Sequence, residues 1–357
     1  MVSISLPRSL GDFSVAIVCA STEARPIQAL FDDIYYIEGK TSFQTPGDPH
    51  DYTVGRIGRH QVVLAYLPGQ GKVSASRLAC RLKPTFPGLR IILVVGACGA
   101  VPRGPDGRDI FLGDVLMSTT LVEYDQVRRW PDFVERRMRS CEILPRPAPE
   151  LSSYLNKLQA TRGRQRVEAQ MGDHMSQLHR TLGHTVAGYP GSEIDRLYPS
   201  DPRPTAAPCG PPALARQRSI GTVSPSLHLG QLGTGESKVA SAHFRDQLYA
   251  RDGIIGFESE AIAFWYDMPC VVIKGVANYA DGRENEVWTQ YAAATAASAA
   301  KAFLTQYCPP ERNTEPIKLG KLCWYAHSEN GVFVDQSVDF SVPPVPSAPF
   351  SFWTEAK

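Results

Sequence analysis

The sequence predicts a single α/β domain built on a central mixed β-sheet flanked by helices, with a proline-rich insertion and a C-terminal extension. Three observations predict it. Apolar runs at residues 15–19, 90–95 and 270–276, interrupted only by Arg90, Lys274 and Gly275, have the hydrophobicity of parallel strands buried on both faces. Segments with helical spacing follow them, so strands and helices alternate along the chain. Residues 52–57 and 61–67 read as two strands around the turn Gly58-Arg59-His60, which adds an antiparallel pair and makes the sheet mixed.

Composition narrows the function classes. The chain has 357 residues, of which 43% are hydrophobic, enough for a sizeable core. A net charge of +1 implies no global attraction to nucleic acid or to a membrane surface. No apolar run approaches the ~20 residues that span a bilayer. The opening MVSISLPRSLGDF lacks a charged segment followed by an apolar one, so no signal peptide is expected. The eight cysteines form no CxxC pair, and Cys19, Cys98 and Cys270 stand inside apolar strands. The expectation is a cytoplasmic protein with no metal, no cofactor, and no nucleic-acid or membrane partner.

Taken in order, the first strand turns through Ala20-Ser21-Thr22-Glu23 into a helix reaching Phe31, with Ser21 or Thr22 as its cap. Residues 32–50 read as a polar loop. Gly69 and Gly71 mark a tight connection into a helix over residues 73–82, which Pro84 ends. The strand at 90–95 runs into Gly96-Ala97-Cys98-Gly99, where glycines let backbone approach a ligand. Asp114, at a strand start, reads as structural. Arg128, Arg129, Arg136, Arg137 and Arg139 read as a solvated helix face.

Eleven of the 29 prolines fall within residues 145–225. That stretch reads as an irregular surface excursion with short helical pieces at 151–158 and 177–181. Residues 226–230 form a strand leading into Gly233-Thr234-Gly235, Lys238 and Val239. Residues 287–304 are an alanine-rich helix packed across the sheet. The domain is expected over residues 1–310 and the extension over 311–357, whose aromatics include Trp324 and Trp353.

Residues 253–281 concentrate the chemistry. Glu258 and Glu260 follow one apolar run, and Asn278-Tyr279-Ala280-Asp281 end the next. Ligands of α/β sheets sit at strand carboxyl ends, so both clusters can face one pocket. A cap on the following helix is the competing reading of the glutamate pair.

These strings, with YTVGRIGRHQVVLAYLPGQGK and Val122-Glu123-Tyr124-Asp125, resemble the nucleoside phosphorylase superfamily. The branch resembled is that of the methylthioadenosine/S-adenosylhomocysteine nucleosidases, in its fungal form. The resemblance covers roughly residues 13–140 and 226–307. It implies that Glu260 holds the ribose hydroxyls and that Glu23 activates the attacking water. A first-turn glutamate favoured by the helix dipole is the alternative for Glu23. Ser259 stands where that family has Met, and Asn278 where it has the catalytic Asp, leaving Asp281 as a fallback acid. Ala97, Cys98, Gly99, Phe257, Lys238 and Val239 fall at substrate-binding positions. Val94 and Ala97 stand where phosphorylases place phosphate-binding Arg and Ser, and Arg25 is a second candidate phosphate anchor.

The function expected is hydrolytic cleavage of the N-glycosidic bond of a purine-type nucleoside by a homo-oligomer. The rival expectations are a scaffold recruited to other small-molecule chemistry and a nucleoside-binding module without turnover.

Overall fold

A computed structural model describes residues 6–36, 47–132, 134–136, 149–198, 214–218 and 224–307, together with two short strands beyond. The first apolar run forms β1 (Val15–Ala20), buried through Cys19. A 3₁₀ turn, Ser21–Glu23, leads into α1 (Ala24–Ala29). Strand β2 (Asp33–Tyr35) then pairs antiparallel with β3 (Tyr52–Ile57). The expected polar loop therefore begins with an edge strand. Three residues carry no periodic signal; the pairing is set by its partner, and Arg56 Nε donates to Asp33 across it at 2.8 Å. Residues 37–46 lie outside the described residues.

Strand β4 (His60–Leu67) completes the hairpin, and α2 (Lys72–Thr85) follows, running one residue past Pro84. Next come β5 (Ile91–Ala100), which stays in the sheet through Gly96 and Gly99, and β6 (Val115–Glu123). The arginine-rich stretch is an antiparallel pair, β7 (Val127–Arg129) with β8 (Val134–Arg136), and not a helix. Pro131 stands between them, where a continuing helix would clash. The Trp130 indole donates to Glu135 across the turn at 3.0 Å. Arg137 and Arg139 lie outside the described residues.

The 145–225 region departs most from expectation. Residues 149–182 are two helices, α3 (Pro149–Gln159) and α4 (Thr161–Leu182). The prolines that suggested irregularity fall at 145–149 and from 190 on, and none lies between. Each helix buries one stripe at helical spacing: Leu151, Leu155 and Leu158, then Val167, Met171, Met175 and Leu178. A short α5 (His184–Ala187) and β9 (Arg196–Leu197) follow, the latter paired with β10 (Leu214–Ala215). Residues 199–213 and 219–223 are outside the described residues.

The chain closes with β11 (Leu227–Thr234), α6 (Ala242–Asp252), β12 (Ile254–Glu258), α7 (Ile262–Trp265), β13 (Cys270–Asn278) and α8 (Glu286–Gln306). The sheet has nine strands in the order β12-β11-β6-β13-β5-β1-β4-β3-β2. It is mixed: β1 lies parallel to β4 and β5, and β13 parallel to β5 but antiparallel to β6. An extra antiparallel pairing of β12 with β5 at Gly256↔Ala100 and Phe257↔Gly99 folds the sheet edge back onto its centre. That pairing brings the end of β12 beside the end of β5.

Helix α8 covers β13 and β5, and α4 packs on α8. Alanines allow the approach: a Cβ on Gly275 of β13 would stand 2.0 Å from the Ala292 carbonyl oxygen. The chain divides into two compact units, Met1–Pro309 and Pro310–Lys357. Described residues of the second unit form one pairing, β14 (Leu322–Cys323) with β15 (Ser337–Val338). Trp324 and Trp353 are outside the described residues. No described helix is long and apolar enough to cross a membrane.

Because α4 is core, Leu178→Ala should destabilise the protein by about 2–5 kcal/mol in urea unfolding, the cost of a buried leucine cavity. A loss near zero would return α4 to the status of a surface excursion.

Candidate active site

The site is built where β1, β12 and β13 end against β5. Glu23, on the turn after β1, accepts the Ala97 N–H at 2.7 Å. Gly96 makes room for it: a Cβ there would lie 2.2 Å from Glu23 Oε2. Gly99 makes room for the next element, since a Cβ would lie 2.8 Å from Asn278 Oδ1 and 3.1 Å from Ala280 Cβ. These glycines of β5 thus admit the site's own side chains, and the Ala97 amide expected to meet a ligand is already bonded to Glu23.

Glu258 and Glu260 divide the two roles weighed for them. Glu258 Oε2 accepts the N–H groups of Glu260 at 2.9 Å and Ala261 at 2.8 Å, so this buried carboxylate holds the turn into α7. The cap uses Oε2 alone, and the buried Oε1 has no protein hydrogen-bond partner. Glu260 Oε1 accepts the Ser259 hydroxyl at 2.7 Å, and its Oε2 accepts the Lys274 ammonium at 3.2 Å.

Lys274 was not among the residues singled out in the sequence. It lies on β13 and is 4% exposed. A lysine inside the apolar run CVVIKGVAN was the available signal, because a buried ammonium requires anionic partners. Burial works against its charge, but Glu260, Glu23 and Glu258 outweigh burial and hold it protonated well above the usual lysine range. The carboxylates respond unequally. Burial, opposed by Lys274, raises Glu23. Burial and the neighbouring Glu260 raise Glu258. Glu260 is also pushed up by burial, but Lys274 and the Ser259 hydroxyl bring it below the ordinary value. Burial pushes the adjacent Cys98 thiol up to about 12, so it stays neutral.

Asn278 ends β13. Its Oδ1 accepts the Ala280 N–H at 2.9 Å, which leaves the amide NH₂ as the group it can offer. Ala280 has φ +51°, the one non-glycine residue in the left-handed region among the described residues. Asp281 turns away from the carboxylate cluster. Its Oδ1 accepts the Arg283 N–H at 3.1 Å and its Oδ2 the Tyr198 N–H at 3.4 Å. Burial raises its pKa, but its hydrogen bonds tie a loop, which corrects the fallback-acid reading.

The remaining expected residues are peripheral. Val239 is buried, and Phe257 meets Tyr124 edge-on at 5.9 Å. Lys238 is exposed and pairs with Glu284. Arg25 is exposed on α1. Asp114 is structural, buried between Arg218 at 2.8 Å and His228 at 3.1 Å. Among the described residues no group of three or more His, Cys, Asp or Glu could hold a metal.

The mixed α/β fold is shared with solved nucleosidases. Helicobacter pylori MTAN, as a mutant with 5'-methylthioadenosine in its active site, aligns with a TM-score of 0.52 at 16% identity, covering 83% of this chain and 99% of that one. Streptococcus pneumoniae MTA/SAH nucleosidase with 8-aminoadenine gives 0.51 at 17% identity, covering 83% and 100%. Futalosine hydrolase of Helicobacter pylori gives 0.50 at 15%, covering 83% and 99%. At these identities the likeness is one of fold. The chain belongs to the phosphorylase superfamily, whose family model matches residues 14–307.

Two curated relatives extend the comparison. A nucleotide-binding leucine-rich repeat (NLR)-like protein of Hyaloscypha variabilis is 28% identical over 305 residues, 84% of this chain. A death domain-containing ATP nucleosidase of Amphimedon queenslandica is 22% identical over 261 residues, 69% of this chain. The matched regions make up 30% and 40% of those two proteins.

Replacing Lys274 by Met should cost about 3–5 kcal/mol near pH 7, because three buried carboxylates lose their counter-charge. Without the cation the folded-state carboxylate pKa values rise further, so the folded state binds more protons than the unfolded one. The variant's stability should then rise as pH falls toward the carboxylate range. Urea unfolding near pH 7 and near pH 5 measures both; a deficit independent of pH excludes this role.

Proposed function

We propose that the chain hydrolyses the N-glycosidic bond of a purine-type nucleoside or nucleotide. The observation that supports this most directly is the gathering of Glu23 and Glu260 around Lys274, with the Asn278 amide at the end of the same strand. Cleavage passes through a ribosyl-cation-like state, which needs ribose anchoring, a nucleophile and a stabilised leaving base.

Glu260, held ionised, accepts from the 2'- and 3'-hydroxyls. Each of its oxygens carries one protein hydrogen bond and has lone-pair capacity for another. Its negative charge also stabilises the developing ribosyl cation. Glu23 accepts a proton from water as the water oxygen bonds to C1'. The C1'–N bond breaks and its electron pair leaves with the base. A carboxylate with a raised pKa is a better base than an ordinary one. Lys274 keeps its proton and restrains the two glutamates electrostatically. Asn278 donates a hydrogen bond to the base, at N7 or a 6-oxo group, but supplies no proton.

Water is favoured over phosphate as the nucleophile. A phosphate dianion needs charge-assisted donors. Val94 is fully buried and apolar, and the Ala97 amide is taken by Glu23. The names of the solved relatives support a purine leaving group, and that of the Amphimedon relative adds nucleotides to the candidate substrates.

Two outcomes test this. Glu23→Gln should lower turnover by roughly 10²–10⁴-fold, and wild-type protein should release free ribose with no phosphate present. Accumulation of ribose 1-phosphate, or a strict phosphate requirement, overturns hydrolysis. Glu260→Gln should cost about 1.5–3 kcal/mol in kcat/KM through loss of a charged hydrogen bond.

Asn278→Asp should raise turnover of adenosine-type substrates, since it restores an acid at the base. If Asn278→Asp and Asn278→Ala both leave every nucleoside reaction unchanged, Asn278 has no part in catalysis; if nucleosides bind and no variant or wild type releases base, the pocket is a binding module.

A further inference from the structure

A cavity of about 460 Å³ opens beside Asn278, the residue proposed to face the base. It is lined by Ala277 and Asn278 at the end of β13, by Tyr279 and Asp281 just after it, and by Trp288 of α8. Its far wall is the segment carrying Ile194, Arg196 and Tyr198, which the sequence suggested was a loose excursion. That wall is built rigidly. Asp195 is 1% exposed and accepts the Tyr279 hydroxyl at 2.7 Å and the Leu112 N–H at 3.2 Å. The Trp288 indole donates to the Ile194 carbonyl at 3.2 Å.

The charged groups around the cavity differ in how they are partnered. Arg196, Arg283, Asp281 and Glu284 all line it. Glu284 is paired with Lys238 on the opposite loop. Asp281 accepts the backbone amides of Tyr198 and Arg283. Neither Arg196 nor Arg283 has an ion-pair partner among the described residues; Arg196 reaches only the Glu193 carbonyl, at 3.4 Å. The Arg283 guanidinium stacks over the Tyr198 ring at 5.0 Å, which fixes its plane and leaves its N–H edge free. Two guanidiniums with free donor edges at one cavity suit a phosphate group better than a neutral sugar or base.

We propose that this cavity receives the phosphate groups of the substrate, with Arg196 and Arg283 as the anion-binding pair, so that the chain acts on a nucleotide in preference to a nucleoside. The inference rests on the glycosidic-cleavage reading and deepens it. The lining residue Asn278 is also the residue proposed to face the base, so a group in the cavity lies within one substrate's reach of the cleavage site.

The test compares release of free base from ATP, AMP and adenosine by the full chain and by an Arg196→Ala/Arg283→Ala double variant. The nucleotides should be preferred by ~10-fold or more in kcat/KM. The double variant should raise KM for them by a similar factor and leave adenosine kinetics within about twofold. Inorganic tripolyphosphate should compete with ATP in the wild type and not in the variant. Equal use of adenosine and ATP, or equal loss on both in the variant, overturns the proposal while cleavage itself stands.

Tripolyphosphate that binds without competing marks an effector site and overturns the substrate assignment. If no substrate is cleaved, a rise in melting temperature with tripolyphosphate, present in the wild type and absent in the double variant, still reports the anion site. No rise in the wild type removes it.

Discussion

The structure depends on one buried ammonium. Lys274 sits in the middle of a strand whose neighbours are Val, Ile and Gly, where an isolated cation would cost several kcal/mol. Its counter-charges come from elements far apart in sequence: Glu23 after β1, Glu258 and Glu260 after β12. For the lysine to be buried, those strand ends must converge on β5. The charge requirement of one residue therefore couples the ends of β1 and β12 to the middle of β13. The same interaction offsets the mutual repulsion of the three glutamates.

Convergence demands space as well as charge. Gly96 and Gly99 leave the volume into which Glu23 and Asn278 project from opposite neighbours of β5. Gly275 and the alanine face of α8 let that helix lie close against β13. Small residues thus stand at the points where backbone or functional side chains cross the sheet. The left-handed Ala280 belongs to the same arrangement, because the turn that returns its N–H to Asn278 orients the amide.

Burial and pairing then separate chemically identical groups. Glu260 accepts from both Ser259 and Lys274 and stays an anion. Glu23, with one backbone amide and a more distant share of the ammonium, is raised toward the range of a useful base. Glu258 spends its exchangeable oxygen on two backbone amides and becomes architecture. Three glutamates within one cluster thereby differ in partners and in ionisation, set by environment and not by residue type.

The sequence by itself determined the layer architecture. Runs such as VAIVC and CVVIKGVAN can only be buried strands, and the alanine-rich segment after Asp281 can only be a helix packed closely on them. It also marked Glu23, Glu260 and Asn278, because their local strings are distinctive. It misassigned α4, whose apolar stripe was present but overshadowed by flanking prolines, and the arginine-rich hairpin, whose pairing is decided by cross-strand contact.

Only the tertiary structure separated Glu258 from Glu260 and turned Asp281 away from the cluster. It also showed that Lys274 is the cluster's cation and set Arg196 across a cavity from Arg283. Each of these depends on which strand ends meet and how far each side chain is buried. Dielectric environment and contacts between residues separated by scores of positions are properties of the packed chain, and no local pattern of residues carries them.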